Sequence, residues 1–230
     1  MRYVFSLTIY ITYYLPVRSL GKEYVLMFII GITGGSGGGK TSALRALQSL
    51  GALTLDCDAI YHDLLANNME LKSELESHFS GVLRDGAIDR KRLGEIVFSD
   101  PNALKELNST THKYVGKEIA RRISQGEDQG LNVVAIDAIA LIESGRSKKC
   151  DVVVAVTAPR DIRISRIMAR DGISREQAEM RINAQKPDSY FEENCDHLLN
   201  GIYPEPEEFE EVCRKFFREL IGGNLDAGQR

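Results

Sequence analysis

One stretch limits what this chain can fold into more than any other. The apolar run Phe28-Ile-Ile-Gly-Ile-Thr ends in Gly34-Gly-Ser-Gly-Gly-Gly39, and Lys40-Thr41-Ser42 then opens a helix-like amphipathic pattern from Ala43 to Leu50. Gly34, Gly39, Lys40 and Thr41 satisfy G-x-x-x-x-G-K-[ST], with the strand before it and the helix after it that the pattern requires. To wrap an oligophosphate, successive backbone N–H groups must converge on it, and glycine allows the necessary angles and close approach. Gly35, Ser36, Gly37, Gly38 and Gly39 would line that cradle, with Lys40, Thr41 and Ser42 at the helix start. A helix beginning near Lys40 directs its positive end at the anion, Lys40 reaches the terminal phosphates, and the Thr41 hydroxyl is placed for Mg²⁺. Five glycines exceed what the pattern needs, so the loop is expected to be loose until nucleotide orders it.

A strand feeding such a loop implies parallel β-α alternation, and the rest of the chain supplies it. Leu131–Asp137 and Cys150–Val156 are apolar runs of the kind found in central strands covered on both faces. Ala52–Asp58 is a shorter strand delivering Asp56 and Asp58 at the carboxyl edge, where open α/β sheets bind ligands. Strand alternation aims the two carboxylates to one side, which suits a catalytic base; equally, Asp58 would serve as the N-cap of a helix beginning at Ala59. Asp137 ends its own strand and is placed to hold Mg²⁺ through water, opposite Thr41. From Ala59 to His112 the pattern is helical, broken by turns at Arg84-Asp-Gly86 and Ser99-Asp-Pro101, with no convincing strand. It reads as a helical insertion holding a second substrate. Tyr114 to Ile123 continues as helix, with Lys113, Lys117 and Arg121 on a solvated face.

Arg163, Arg166 and Arg170 fall at spacings of three and four, near one helix face. Their natural partner is an oligophosphate, which Arg binds bidentately. Asp171-Gly172 ends that helix, and Ser174-Arg-Glu-Gln177 is a capping box opening another that carries Arg181. A helix–turn–helix rich in Arg, over about 168–190, is what a lid closing over nucleotide requires. Gln185-Lys-Pro-Asp188 superficially matches a guanine-reading N-K-x-D, but it ends a charged helix instead of following a buried strand and is discounted. Asp196–Asn200 is a last short strand and Phe209–Ile221 a closing helix, after which residues 222–230 are expected to fray. The fold class expected is therefore α/β, a P-loop NTPase with a doubly wound parallel sheet of about five strands, a helical substrate-binding insertion and a helical lid.

Composition narrows the partners. Apolar content of 43% and charged content of 27% are ordinary for a globular chain of 230 residues, and a net charge of −4 argues against a surface that wraps nucleic acid. Cys57, Cys150, Cys195 and Cys213 show neither zinc-site nor disulfide spacing, which fits a reducing, cytoplasmic setting. Residues 1–26 lie upstream of anything the fold needs. Val4 to Leu15 is apolar but only about a dozen residues long, short of the roughly 20 needed to span a membrane. No small-residue cleavage site follows it, so the segment is expected to be a start-site artefact, with Met27 opening a single domain over 27–221.

With these pieces in order, the chain resembles the dephospho-coenzyme A kinase family from about Phe28 to Phe217. Gly31-Ile-Thr-Gly-Gly-Ser-Gly-Gly-Gly-Lys-Thr is similar to that family's loop, and Asp56-Cys-Asp58 stands where the family has Asp-Ala-Asp, its second Asp being the proposed base. Asp85-Gly-Ala-Ile-Asp-Arg-Lys-Arg-Leu-Gly-Glu-Ile-Val-Phe-Ser-Asp100 is similar to the family's coenzyme-A-binding element, Arg166-Ile-Met-Ala-Arg170-Asp to its lid motif, and Arg181–Gln185 also matches. Two departures stand out. Lys113 follows His112 where the family has His-Pro, and Ile136-Asp-Ala-Ile-Ala-Leu-Ile-Glu143 replaces Asp-x-Pro-Leu-Leu-Phe-Glu, keeping Asp137 and Glu143. The resemblance implies ATP- and Mg²⁺-dependent phosphorylation of the ribose 3′-hydroxyl of dephospho-coenzyme A. It assigns catalysis to Asp58, Lys40, Arg166 and Arg170, and the acceptor to Asp56, Asp58, His112, Asp137 and Glu143. It implies a monomer or weak homo-oligomer acting on a small molecule, with no nucleic acid or membrane partner. A P-loop kinase for a nucleoside or sugar, and a nucleotide-dependent regulator without transfer activity, are the rival readings.

Overall fold

The computed structural model describes residues 27–227; the expected start-site segment 1–26 lies outside them. Strand β1 (Phe28–Thr33) leads through the glycine loop into helix α1 (Lys40–Ser49), and β2 (Leu53–Asp56) runs directly into α2 (Cys57–Asn67). Helix α3 (Met69–His78), strands β3 (Leu83–Arg84) and β4 (Ala87–Ile88), and helices α4 (Arg90–Ser99) and α5 (Pro101–Asp128) form the insertion. The chain then returns through β5 (Val133–Asp137) and β6 (Val152–Thr157) to α6 (Arg160–Asp171), α7 (Arg175–Asn183) and α8 (Asp188–Asn194). It ends in β7 (His197–Asn200) and α9 (Pro206–Ala227).

The main sheet is five-stranded in the order β2-β5-β1-β6-β7, with every neighbouring pair parallel. Alternation along the central strands divides the core in two. Val134 and Ile136 of β5 pack with α2 to α5, whereas Val133 and Ala135 pack with α1 and α9, beside Ile30 and Ile32 of β1. Both faces being covered, these strands carry no polar face, which is why they read as continuous apolar runs. The register sets Asp56 beside Asp137 at the carboxyl edge, next to the end of β1 where the glycine loop begins.

Three expectations change. The insertion contains a small hairpin, built on an Asp85-Gly86 turn with φ of 48° and 77°; two residues per strand are too few for any periodicity to register. Helix α5, continuous past His112 as expected, runs beyond Ile123 to Asp128, its inner face held by Thr111, Tyr114, Val115 and Ile119. Helix α9 passes the expected stop and continues through Gly222 and Gly223 to Ala227, because extending a packed helix across a glycine costs only about 1 kcal/mol. The lid elements are as expected, with α6 ended by Gly172 at φ 64° and the Ser174–Gln177 capping box formed in full.

Candidate active site

The glycine loop is shaped by its neighbours. A Cβ on Gly34 would sit 2.1 Å from the Val156 carbonyl oxygen, one on Gly38 2.4 Å from the same atom, and one on Gly37 2.7 Å from the Arg163 carbonyl oxygen. At Gly39, with φ 111°, it would meet Phe209 at 2.8 Å. The surplus glycines are therefore accounted for by close approach of β6, α6 and α9, and no spare looseness need be invoked. Lys40 Nζ donates to the Gly34 carbonyl at 2.9 Å, closing the loop on itself. Burial draws the Lys40 pKa below its ordinary value, and the charges of Asp137 and Asp58 pull it back up. As the first residues of α1, Lys40 and Thr41 carry N–H groups without intrahelical acceptors, available to an anion.

Ser42 turns its side chain away from the loop. Its N–H donates to the Gly39 carbonyl at 3.0 Å and its hydroxyl to the Pro206 carbonyl at 3.2 Å, which turns it inward toward α9. The carboxylates also change roles. Asp56, not Asp58, caps α2, accepting from the N–H groups of Asp58 at 2.8 Å and Ala59 at 3.0 Å. The helix thus starts at Cys57, and Asp58 stands free and exposed in its first turn. Asp137 is largely buried beside Lys40, with its Oδ1 lacking any hydrogen-bond partner. Burial lifts its pKa to about 6 against the opposing charge of Lys40.

The three arginines of α6 are held differently. Arg163 is buried: its Nε donates to the Ser36 carbonyl at 3.0 Å, its Nη2 to Gln185 Oε1 at 2.8 Å and its Nη1 to Asp188 at 3.3 Å. These contacts brace the loop through Ser36. Arg166 reaches the Gly37 carbonyl at 3.2 Å and the Tyr203 carbonyl at 2.8 Å, and Arg170 is exposed, pairing with Asp171. Sequence reasoning missed two loop contacts. Gln185 holds Ser36 twice, accepting from its N–H at 3.0 Å and donating to its hydroxyl at 2.7 Å; the amide was hidden by the discounted resemblance to a guanine motif. Gly201, just past β7, passes so near that a Cβ there would lie 2.3 Å from the Gly38 carbonyl oxygen, and nothing in its local sequence signals this.

A cavity of about 240 Å³ opens beside the loop between α2, α5 and the segment after β5, lined by Asp58, Tyr61, His112, Ala138 and Arg146 among others. His112 thus joins Asp58, as expected, with its pKa lowered by burial and then by the Arg146 charge. Glu143 does not join them: it is exposed, and its field acts on Tyr190 and Cys195 on the α8 side. A larger pocket of about 370 Å³ lies at the β3–β4 hairpin, lined by charged residues including Arg84, Asp89 and Arg92 and by none of the loop.

A phosphate cradle, a carboxylate at the mouth of an adjoining cavity and an Arg-bearing lid are the parts of a kinase that moves phosphate onto a second molecule. The family model described as Dephospho-CoA kinase matches residues 28–201. The chain belongs to the dephospho-CoA kinase family. Among the family's members, the Dephospho-CoA kinase of Dehalococcoides mccartyi is 39% identical over 71% of this chain and 83% of its own length, and that of Geobacter sulfurreducens 37% identical over 70% and 83%. The crystal structure of TT1252 from Thermus thermophilus superposes with a TM-score of 0.71 at 31% identity, covering 85% of this chain and 98% of that one. Dephospho-CoA kinase from Campylobacter jejuni gives a TM-score of 0.62 at 28% identity, again covering 85% and 98%. The chain is accordingly a kinase of coenzyme A biosynthesis, with ATP as the family's phosphoryl donor.

Proposed function

We propose that the kinase transfers the γ-phosphoryl group of ATP to the ribose 3′-hydroxyl of dephospho-coenzyme A, with Asp58 as the base. One observation carries this reading. Asp58 lines the cavity that leads to His112, and its charge acts on Lys40 in the phosphate loop, so a single carboxylate faces both substrates. In the transfer the acceptor oxygen bonds to the γ-phosphorus, the bond to the β,γ-bridging oxygen breaks, Asp58 takes the hydroxyl proton, and ADP leaves. Lys40, Arg166 and Arg170 stabilise the charge on the phosphoryl oxygens, the main protein contribution to a loose phosphoryl transfer. Asp56 acts through its cap, which fixes the first turn of α2 and hence where Asp58 stands.

Thr41 and Asp137 fit Mg²⁺. Among the described residues no cluster of three or more His, Cys, Asp or Glu is arranged to hold a metal alone, and this ion is normally bound by one or two protein groups plus phosphate oxygens and water. The orphaned Asp137 Oδ1 supplies the acceptor that a metal-bound water needs. When bound, the ion neutralises charge on the phosphates. Among the described residues no helix is long and apolar enough to cross a membrane. We propose a cytoplasmic enzyme acting as a monomer or weak homo-oligomer, a reading that the free Cys57, Cys150, Cys195 and Cys213 fit.

The test is ADP release with ATP and Mg²⁺, with and without dephospho-coenzyme A. Asp58→Asn should lower kcat by about 10² to 10⁴, the usual contribution of a general base, and leave the KM for ATP within about threefold. Full turnover in that variant would remove Asp58 from the mechanism.

A further inference from the structure

The acceptor cavity contains a cation that the mechanism above does not use. Arg146 follows Gly145, which sits at φ 72°, in a short 3₁₀ turn after β5, and its guanidinium reaches back to α5. There its Nη2 donates to the His112 carbonyl at 3.3 Å, while its Nη1 lies 3.8 Å from where a Cβ of residue 116 would be. Gly116, one turn beyond His112, leaves room for the guanidinium against the helix. Of the five N–H donors of an arginine, one is engaged by this contact, and no described carboxylate forms an ion pair with Arg146. The other nearby basic group, His112, is kept neutral at pH 7 by burial and by Arg146 itself.

We infer that Arg146 sets acceptor specificity, binding the phosphoanhydride that dephospho-coenzyme A carries beside the ribose to be phosphorylated. This rests on the reading of the cavity as the acceptor site. An Arg fork is matched to phosphate oxygens, and an arginine held only by a carbonyl keeps most of its fork for a ligand. The apolar walls, Tyr61, Leu107, Val115 and Ala138, exclude water on one side and strengthen that contact. An acceptor with the same ribose but no phosphate gains nothing from Arg146, so the residue discriminates between the two.

Arg146→Gln is the decisive variant, since Gln keeps a polar side chain and removes the charge and the fork. With ATP saturating, its KM for dephospho-coenzyme A should rise about 10- to 100-fold, as for the loss of one charged hydrogen-bonding partner, with kcat within twofold. Adenosine, a competitor having the ribose without the anhydride, should keep its inhibition constant against dephospho-coenzyme A within threefold. Arg146→Lys, charged but without the fork, should fall between wild type and Gln. An unchanged KM, a parallel loss of adenosine affinity, or a Lys variant as weak as Gln would each overturn the assignment. Asp58→Asn measured alongside separates the two readings: a collapse of its kcat with Arg146→Gln unaffected would keep the cavity as the acceptor site and reject Arg146 alone.

Discussion

Asp137 shows how a site residue can oppose the stability of its own fold. Its carboxylate is buried at the end of β5 with one oxygen unpartnered, and burial raises its pKa from 3.8 to about 6. A pKa raised on folding means that the folded state binds more protons than the unfolded state between about pH 4 and 6. Stability is therefore lost as the pH rises through that window, by up to about 3 kcal/mol for a shift of this size. Asp137→Asn removes the charge, so in metal-free, nucleotide-free buffer the variant should exceed wild type in urea midpoint at pH 7.5 and lose the advantage near pH 4. A variant less stable at pH 7.5, or one with the same gain at both pH values, would show that the buried charge is not what destabilises this position. At the same scale, the positions legible in the sequence are those whose pattern is local. Lys40 and Thr41 follow from the loop pattern and stand at the start of α1, whereas Asp58, expected at a strand end, stands in the first turn of α2. The cap was misassigned because a two-residue difference in where α2 starts, Cys57 instead of Ala59, decides which carboxylate caps it.

Among the elements, legibility followed the length of the pattern. β1, β5 and β6 were evident because burial on both faces leaves uninterrupted apolar runs, and the Ser174–Gln177 capping box announced α7. The β3–β4 hairpin was not, since two-residue strands leave no distinct period. Least visible was the strut between lid and loop. Gln185 and Arg163, the latter paired with Asp188, grip Ser36 across 149 and 127 residues of sequence, a separation no local pattern records. The strut makes a prediction at this scale. Gln185→Ala removes two hydrogen bonds to Ser36, worth about 1 kcal/mol each, and frees the backbone that must face the phosphates. The KM for ATP should rise about tenfold or more, with the KM for dephospho-coenzyme A unchanged. Gln185→Glu, which can still accept from the Ser36 N–H and hydroxyl but adds a negative charge beside the phosphates, should be no better than Ala. If both variants bind ATP normally, the strut is dispensable.

At the scale of the whole molecule, the parts differ sharply in how they are held. The two large cores on either face of the sheet contain most of the buried side chains, whereas the lid has a core of its own made only of Ile164, Ile167, Ala178 and Ile182 among buried residues. Helix α7 exposes Met180 at 64% and packs on α6 through Ala178, Ile182 and the Arg181–Asp171 pair, with Gln185 just past its end holding Ser36 of the loop. Local opening follows buried apolar contact, so α7 should open far more readily than β1 or β5. That difference suits a lid: it must open to admit ATP, while the sheet edge bearing Asp56 and Asp137 keeps its register. ATP bound on the loop gives Arg166 and Arg170 an anion to meet and so favours the closed arrangement, because a ligand stabilises the state it binds better. Native-state hydrogen exchange should find the amides of residues 175–183 exchanging fastest among the helices packed near the loop, with those of β5 at the slow limit. Mg²⁺ with ATP should slow exchange in α7 by at least tenfold and leave β5 unchanged, and Lys40→Ala should lose that protection. Were α7 as protected as β5 without nucleotide, the lid would be a rigid part of the fold, and closure would have to be sought elsewhere.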